Sequence, residues 1–257
     1  MAMRIALGVH RIAADPAANL ATLNRLSTTA ADHGADLVVF SEAALTGFIG
    51  TGDPDHDRRL SETVPGEATQ TLSATAQRTG IGITFGLYEM DHDHHLYDSA
   101  VLIGSDGAIS LHYRRISPQW HRQGADPAIY REGTELPVIN TGFGRICMLL
   151  CGDLFDDAIM HRVADLQPEL ILVPFAREFD SEVADATAWH DVEIGVYAER
   201  AALSGATAAL VNQIGPGDER HFGGALVIAP DGSVLGNLDL HTEGLLYADL
   251  EHRRIST

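Results

Sequence analysis

The sequence contains no lysine, so all 17 of its basic residues are arginine. Any mechanism that depends on a lysine side chain is therefore excluded. The basic residues are also outnumbered by 36 acidic ones, which gives a formal net charge of -19 at pH 7. This charge argues against nucleic acid or an anionic membrane as a partner, because phosphate groups would be repelled.

Cysteine is almost as scarce, and only Cys147 and Cys151 occur in the chain. Both lie in one predicted strand, where their Cα atoms would be about 13 Å apart, too far for a disulfide bond. No apolar run approaches the roughly 18 residues of a membrane-spanning helix, and the apolar N-terminus is too short for a signal peptide. We therefore expect a cytoplasmic protein in a reducing compartment.

The remaining composition is that of an ordinary globular protein, with 45% hydrophobic and 21% charged residues. Segments with strand and helix patterns alternate, which is typical of a layered α/β fold in one domain over residues 1–257. The predicted strands cover 4–10, 36–42, 81–88, 97–103, 108–113, 146–150, 169–175, 208–212, 224–229 and 244–249. The predicted helices cover 16–34, 67–79, 158–166 and a segment through 197–201, and residues 46–65 are predicted to form a loop.

The strand predicted over 146–150 brings Cys151 to its carboxyl end, directly before Gly152. A thiol in that position, with a small residue behind it, can present its sulfur to a cleft. The next backbone N–H then lies where an oxyanion would form. The alternative is a buried cysteine that serves as a small hydrophobic residue, which is the commoner role of a lone cysteine.

Two further reactive side chains, Glu42 and Arg115, also follow predicted strands. Strand ends of this kind are where α/β folds build their sites. Each residue has a simpler interpretation as well, a surface carboxylate for Glu42 and a solvated charge for Arg115. Taken with Cys151, they would supply a base, a fixed cation and a nucleophile.

A charged turn, Asp91-His92-Asp93-His94-His95, combines side chains that can bind a metal ion. Nothing around it resembles a further set of ligands, so we favour a solvated hairpin tip between two strands. We expect neither a metal nor an organic cofactor.

The order and spacing of several motifs make the sequence similar, nearly end to end, to the nitrilase superfamily of carbon–nitrogen hydrolases. The motifs are Gly34–Glu42, Leu45–Phe48, Tyr97–Ile103, Tyr113–Arg115, Cys151–Asp153, Trp189, Arg200–Ala201, Asn212–Gly215, Phe222–Ala225 and Pro230–Gly232. The resemblance implies a four-layer α-β-β-α sandwich that forms a single carbon–nitrogen hydrolase domain.

The resemblance also implies roles for the three strand-end residues. Glu42 would be the general base, Cys151 the nucleophile, and Arg115 the cation that stabilises the oxyanion together with the N–H of Gly152. The expected reaction is hydrolysis of a small linear amide, a carbamoyl compound or a nitrile through a thioester. Members of the superfamily usually assemble as homodimers or larger homo-oligomers, and we expect the same here.

Two further residues receive roles from the resemblance alone. Glu132 lies in a Tyr-Arg-Glu-Gly segment like that of the carbamoyl-cleaving members, so it is expected to be the second glutamate, which positions the substrate and the cation. Trp189 is expected in the substrate-binding part of the site.

The chain departs from the superfamily pattern at Arg115, because the usual residue there is lysine. Arginine keeps the positive charge, so it can stabilise an oxyanion and lower the thiol pKa, but it cannot give up a proton. Three interpretations follow: a hydrolase with a purely electrostatic cation, a site repurposed for other acyl-transfer or C–N chemistry, and a catalytically silent binding protein. We favour the hydrolase.

A second departure follows the nucleophile, where Leu154–Asp157 replaces an Arg-Phe-Pro-Glu segment that is common in the superfamily. Asp156 and Asp157 would favour a cationic or neutral substrate if they face the mouth of the site. We favour the alternative, in which they begin the next helix and their charge suits the helix dipole.

Overall fold

A computed structural model of the protein describes residues 2–47, 51–178, 188–215, 217 and 221–251. Within these residues the chain forms two six-stranded sheets. Sheet I has the strand order β12-β1-β2-β3-β4-β5, and sheet II has the order β11-β10-β9-β8-β7-β6. The strands are β1 Met3–Val9, β2 Leu37–Phe40, β3 Gly82–Met90, β4 Leu96–Ile103, β5 Ile109–Arg114, β6 Val138–Asn140, β7 Arg145–Met148, β8 Leu170–Pro174, β9 Thr207–Val211, β10 Gly223–Ile228, β11 Val234–Leu240 and β12 Gly244–Leu250.

Both sheets are mixed. In sheet I, β1, β2 and β3 are parallel, whereas β12, β4 and β5 pair antiparallel to their neighbours. In sheet II, β7, β8 and β9 are parallel, with antiparallel strands on either side. The parallel strands at the centre of each sheet bring their carboxyl ends to one edge, and the candidate site lies there.

Helices cover the outer face of each sheet. They are α1 Pro16–Asp32, α2 Pro54–Leu60, α3 Glu67–Thr79, α4 Asp157–Leu166 and α5 Ile194–Ala202. Local sequence explains the ends of α1 and α3. Asp15 accepts a hydrogen bond from the backbone of Ala17 and Pro16 is the first residue of α1, while α3 ends at Gly80 with φ 74°.

The three largest apolar clusters among the described residues form three layers, and a smaller fourth cluster surrounds Trp120. Side chains from both sheets, such as Leu7 and Leu172, interdigitate in the inner layer. One outer layer lies between sheet I and helices α1 and α3, and the other lies between sheet II and helices α4 and α5. The layers of the molecule are therefore helix, sheet, sheet and helix, as the sequence predicts.

Three elements differ from the sequence prediction. Helix α2 lies within the predicted loop over 46–65, where Asp53 caps it and Pro54 begins it. It is only seven residues long and mostly polar, so it carries no apolar period. Strands β6 and β11 are half-exposed and follow turns, and they lack the apolar run by which the other strands were found.

Candidate active site

Glu42 lies two residues beyond β2 at the junction of the two sheets. Its backbone N–H donates to the carbonyl of Phe175 in sheet II at 3.1 Å. Its Oε2 accepts a hydrogen bond of 2.6 Å from the backbone N–H of Ala176, and its Oε1 accepts one of 2.8 Å from Nη1 of Arg115. Gly86 makes room for this turn, since a Cβ there would lie 1.9 Å from the carbonyl oxygen of Glu42.

Arg115 directly follows β5 and is buried with its guanidinium held on several sides. Nε donates to Oγ of Ser117 at 2.9 Å, and Nη1 donates to Glu42 at 2.8 Å. Nη2 donates to the carbonyl oxygen of Pro118 at 3.3 Å. Burial lowers the pKa of Arg115, but Glu42 and other negative neighbours outweigh burial and raise it, so the cation is permanent.

Cys151 begins a 3₁₀ turn, Cys151–Phe155, three residues beyond the end of β7. Its φ of 41° is left-handed, a conformation that costs a non-glycine residue about 1–2 kcal/mol and is found preferentially at functional sites. The guanidinium of Arg115 lies against the next residue, because a Cβ on Gly152 would be 2.3 Å from Nη2. The backbone therefore brings the thiol, the Gly152 N–H and the cation together.

The charges around Cys151 act on its thiol in opposite directions. Burial has the largest effect and raises the pKa of Cys151, and the nearby Glu42 carboxylate raises it further. Arg115 and the backbone of Ala176 lower the pKa without overcoming those two effects. The cation therefore favours the thiolate, as expected from the sequence, but the resting residue is a neutral thiol that needs a base.

Asp153 joins the two sheets directly beneath the site. Its carboxylate accepts hydrogen bonds from the hydroxyl of Tyr113 at 2.6 Å, from the backbone of Ser117 at 2.7 Å and from the backbone of Leu150 at 2.9 Å. Three donors to one carboxylate fix its position firmly. Asp153 thereby ties the nucleophile turn to the segment that carries Arg115.

Two residues expected at the site lie elsewhere. The side chain of Glu132 is 37% exposed, its ion-pair partner is His121 at 3.5 Å, and it lines a separate polar cavity. Gly133 donates its N–H to the carbonyl of Arg115 at 2.7 Å, so the backbone is close while the Glu132 side chain faces the other cavity. The structure therefore does not bring Glu132 to the Arg115 guanidinium.

Trp189 is a core residue in the outer layer of sheet II, 3% exposed. Its indole Nε1 donates to Asn237 at 3.2 Å, and its ring lies 6.0 Å from that of Tyr197. Tyr197 in turn packs on Phe155 and Phe175, which border the site. Trp189 thus supports the wall of the site from behind, and residues 179–187 of the predicted loop before it lie outside the described residues.

A residue that the sequence analysis missed, Asp98, is buried against the cation. Its Oδ2 lies 3.4 Å from Nη1 of Arg115, and its carbonyl accepts the Arg115 N–H at 2.8 Å. The hairpin of β4 and β5 explains this contact. Ser99 and Arg114 form the last pair between the two antiparallel strands at this end. Asp98, which precedes Ser99, and Arg115, which follows Arg114, therefore face each other directly beyond that pair.

The acidic residues after the nucleophile begin helix α4, as the sequence analysis favoured. Asp156 caps that helix by accepting a hydrogen bond from the backbone of Ile159 at 3.0 Å, and Asp157 pairs with Arg200 at 2.6 Å.

The Asp91–His95 segment forms the β3–β4 hairpin tip. The Asp91 carboxylate accepts hydrogen bonds from within this turn: from the backbone N–H groups of Asp93 and His95, and from the His95 ring.

A neutral thiol beside a buried carboxylate and a permanent cation, on a four-layer α-β-β-α sandwich, defines a hydrolytic enzyme of the cysteine type. The chain belongs to the carbon–nitrogen hydrolase family, whose model matches residues 4–257. The predicted superfamily, fold and class of enzyme are thereby confirmed. Among the described residues, no helix combines the length and apolar character needed to cross a lipid bilayer.

The relatives of the chain include amidases and nitrilases. An (R)-stereoselective amidase from Pseudomonas sp is 28% identical, and the match covers 86% of this chain and 75% of the relative. An arylacetonitrilase from Hypocrea virens is 27% identical, with 88% and 76% covered. A Glu-to-Gln mutant of the amidase from Nesterenkonia sp. AN1 has a TM-score of 0.81 and 25% identity, with 97% of this chain and 93% of that chain covered. That structure shows Michael addition of acrylamide at the active-site cysteine.

Proposed function

We propose that the protein hydrolyses a small linear amide through a thioester on Cys151, with Glu42 as the general base and Arg115 as the cation of the oxyanion site. The arrangement around Ala176 carries the proposal. The Ala176 N–H donates to Glu42 at 2.6 Å and also acts on the Cys151 sulfur, so the base and the nucleophile meet at one backbone group. Cysteine-dependent C–N hydrolysis by amidase relatives supports it.

In the acylation step, the Sγ of Cys151 attacks the amide carbon while Glu42 takes the thiol proton. The carbonyl π electrons move to oxygen, and the resulting oxyanion is stabilised by the Gly152 N–H and by Arg115. The tetrahedral intermediate collapses as the C–N bond breaks. Glu42 gives its proton to the leaving nitrogen, and ammonia and a thioester result.

In the deacylation step, water attacks the thioester carbon as Glu42 takes one of its protons. The C–S bond then breaks, and the proton returns to the Cys151 sulfur. The net reaction is amide and water to carboxylic acid and ammonia, with the thiol regenerated. The Glu42 carboxylate and the neutral Cys151 thiol are the resting forms that this cycle needs.

The role of Arg115 in this proposal is electrostatic. Of its five N–H groups, one on Nε, two on Nη1 and one on Nη2 have acceptors among the described residues. The second Nη2 N–H has none among them, and Nη2 lies beside Gly152. One N–H is therefore left to reach an oxyanion while the others hold the guanidinium in place. A guanidinium that never transfers a proton can fill this role.

An uncharged acyl group fits the residues that border Cys151. The aromatic rings of Phe155, Phe175 and Tyr197 pack together on the sheet II side, with centroid separations of 5.3–5.9 Å. Arg177 stacks its guanidinium at 5.1 Å from the Phe155 ring centroid and pairs with Glu193 at 3.6 Å, so its charge is already balanced. We therefore place short aliphatic amides first, ahead of carbamoyl compounds and nitriles.

The test is ammonia release from a panel of short aliphatic amides, carbamoyl compounds and nitriles. The wild type is expected to turn over at least one short amide, and Cys151→Ala is expected to release no ammonia above background. Cys147→Ala is the matched control, because Cys147 is fully buried in the outer layer between sheet II and its helices and the proposed reaction does not use it. Turnover that persists in Cys151→Ala, or no turnover of any compound by the wild type, would count against the proposal.

A further inference from the structure

The site holds more buried acid than a single cation can balance. Asp98, Glu42 and Asp153 are 2%, 3% and 0% exposed, and in the part of the chain that the structure describes the one buried cation in contact with them is Arg115, 6% exposed. If all three acids were ionised, two negative charges would remain uncompensated in a region closed to water. A buried charge without a partner is strongly unfavourable, and a carboxyl group avoids it by keeping its proton.

The hydrogen bonds identify which of the three acids keeps the proton. Asp153 accepts from three donors, and Glu42 accepts from Arg115 and from the Ala176 backbone at 2.8 and 2.6 Å. Both arrangements stabilise an ionised carboxylate. Asp98 has only the longer contact of 3.4 Å to the same Nη1 of Arg115 that serves Glu42. Asp98 is therefore the least well stabilised as an anion.

The side chains of Asp98 and Glu42 meet at one guanidinium nitrogen, and a hydrogen bond between them is one of the effects that raise the pKa of Asp98. The two carboxyl groups share Nη1 of Arg115, at 2.8 Å from Glu42 and 3.4 Å from Asp98. The Arg115 N–H bound to the Asp98 carbonyl fixes the strand that carries this side chain. Two carboxyl groups that approach one another in this way cannot both ionise easily.

We propose that Asp98 is a positioning residue that carries a proton in the resting enzyme and donates it as a hydrogen bond to the Glu42 carboxylate. Asp98 thereby orients Glu42 and sets its basicity, which rests on the proposed role of Glu42 as the general base. The charged and titratable groups that face Asp98 are Glu42, Arg115, Cys151 and Asp153. The proton on Asp98 stays in place through the cycle, while the proton that moves belongs to Cys151.

The titration of Asp98 agrees with the geometry. Burial, and then the Glu42 carboxylate, raise the pKa of Asp98 well above its ordinary value. Arg115 lowers the pKa of Asp98 and Asp153 raises it, both to a smaller extent.

Two variants of Asp98 separate a protonated donor from an ionised neighbour. Asp98→Asn keeps a neutral group with an N–H donor, and Asp98→Ala removes the donor. The readout is the pH dependence of Cys151 alkylation by iodoacetamide, measured by peptide mass spectrometry, because alkylation needs Glu42 as a base but needs no substrate turnover. Asp106→Asn makes the same chemical change at the exposed turn of the same hairpin and is the control.

If Asp98 is a protonated donor, Asp98→Asn lowers the alkylation rate by a few fold and leaves the acid limb of the profile in place. Asp98→Ala then moves the acid limb up by about one pH unit, since the ionised base loses a hydrogen bond. An acid limb that moves down by about one unit or more in Asp98→Asn would show that Asp98 is ionised, and this would overturn the proposal. An acid limb unchanged in Asp98→Ala would also overturn it.

Infrared spectroscopy gives a second readout that does not need the alanine variant to fold. The resting wild type at pH 7 is expected to show the carbonyl stretch of a protonated carboxylic acid, and Asp98→Asn is expected to lose that band while Asp106→Asn keeps it. A wild type without the band would overturn the proposal. If the band and the alkylation profiles are as expected but no amide is hydrolysed, the proposed function fails and the assignment of the proton stands.

Discussion

The packing of Arg115 against Gly152 allows a sharp test of where the cation acts. A Cβ added at Gly152 would lie 2.3 Å from Nη2 of Arg115 and 2.9 Å from Oγ of Ser117. Contacts between such atoms are comfortable only at about 3.5 Å, so the guanidinium would have to retreat by about 1 Å. Its bonds to Glu42 and to the Pro118 carbonyl resist that movement.

The expected result of Gly152→Ala is a large loss of activity with a modest loss of stability. Removing one donor from an oxyanion site typically lowers kcat about 10²–10³-fold, and overpacking a buried contact costs roughly 1–3 kcal/mol. We expect kcat/KM for the best amide to fall by about 10²-fold or more. The free energy of unfolding, from urea denaturation, is expected to fall by roughly 1–3 kcal/mol.

Two further variants show whether a clash with the cation causes the loss. Gly195→Ala in α5 is the control, because a Cβ there meets no atom within 4 Å, and the change is expected to stabilise the helix by roughly 0.5 kcal/mol. Combining Gly152→Ala with Arg115→Lys replaces the broad guanidinium by a smaller ammonium group. The double variant is expected to have a kcat/KM about tenfold higher than that of Gly152→Ala alone. A Gly152→Ala enzyme within threefold of the wild type would refute the reasoning.

Three other predictions concern charge. Arg115→Lys is expected to lower kcat/KM by about 10–100-fold, because one ammonium cannot make all the hydrogen bonds of the guanidinium; a rise in activity would contradict this. Burial raises the pKa of both cysteines, but Cys147 is fully buried whereas Cys151 is partly exposed and has Glu42 nearby as the proposed base. Peptide mass spectrometry at pH 8 should therefore find Cys151 alkylated much faster, and equal rates would contradict this. Burial raises the pKa of Glu89, but hydrogen bonds from basic neighbours including Arg114 outweigh it and lower the pKa to about 2. Glu89→Gln should therefore lower the free energy of unfolding at pH 7 by on the order of 3 kcal/mol relative to the wild type. This difference between the two proteins should become smaller as the pH falls from about 4.5 toward 2. A difference that does not change with pH would contradict the prediction.

The family resemblance implied the sandwich, and the ends of predicted strands singled out Glu42, Arg115 and Cys151 as candidate site residues. Glu42 and Cys151 each follow an apolar run, and the parallel strands bring those two ends to one edge. Arg115 follows a strand in which apolar and polar residues alternate. The conformation of Cys151 was not predictable from the pattern. Its left-handed φ depends on how its turn is held by Asp153, which accepts hydrogen bonds from across the sheets.

The acid that lies against the Arg115 guanidinium together with Glu42 is Asp98, to which the sequence analysis assigned no role. Glu132 was chosen by motif likeness, but it lies on the side of the chain that faces Arg114 and a separate cavity. Counting back along the two strands from Ile103 and Ile109, which pair beside the turn, would set Tyr97 opposite Arg115 instead of Asp98. A bulge between Leu102 and Ile103 shifts that register by one residue, and no sequence rule locates it.

The boundary between the two sheets divides the groups of the proposed mechanism into two sets. Glu42, Asp98 and Arg115 are carried by sheet I, whereas Cys151 and Ala176 are carried by sheet II. The two sets can therefore meet only while the inner apolar layer holds the two sheets against each other in their native positions. A condition that loosens this layer without melting the strands would separate the thiol from its base, so ammonia release would stop while the far-ultraviolet circular dichroism stayed nearly native. Loss of enzymatic activity would therefore report a loss of packing between the two sheets.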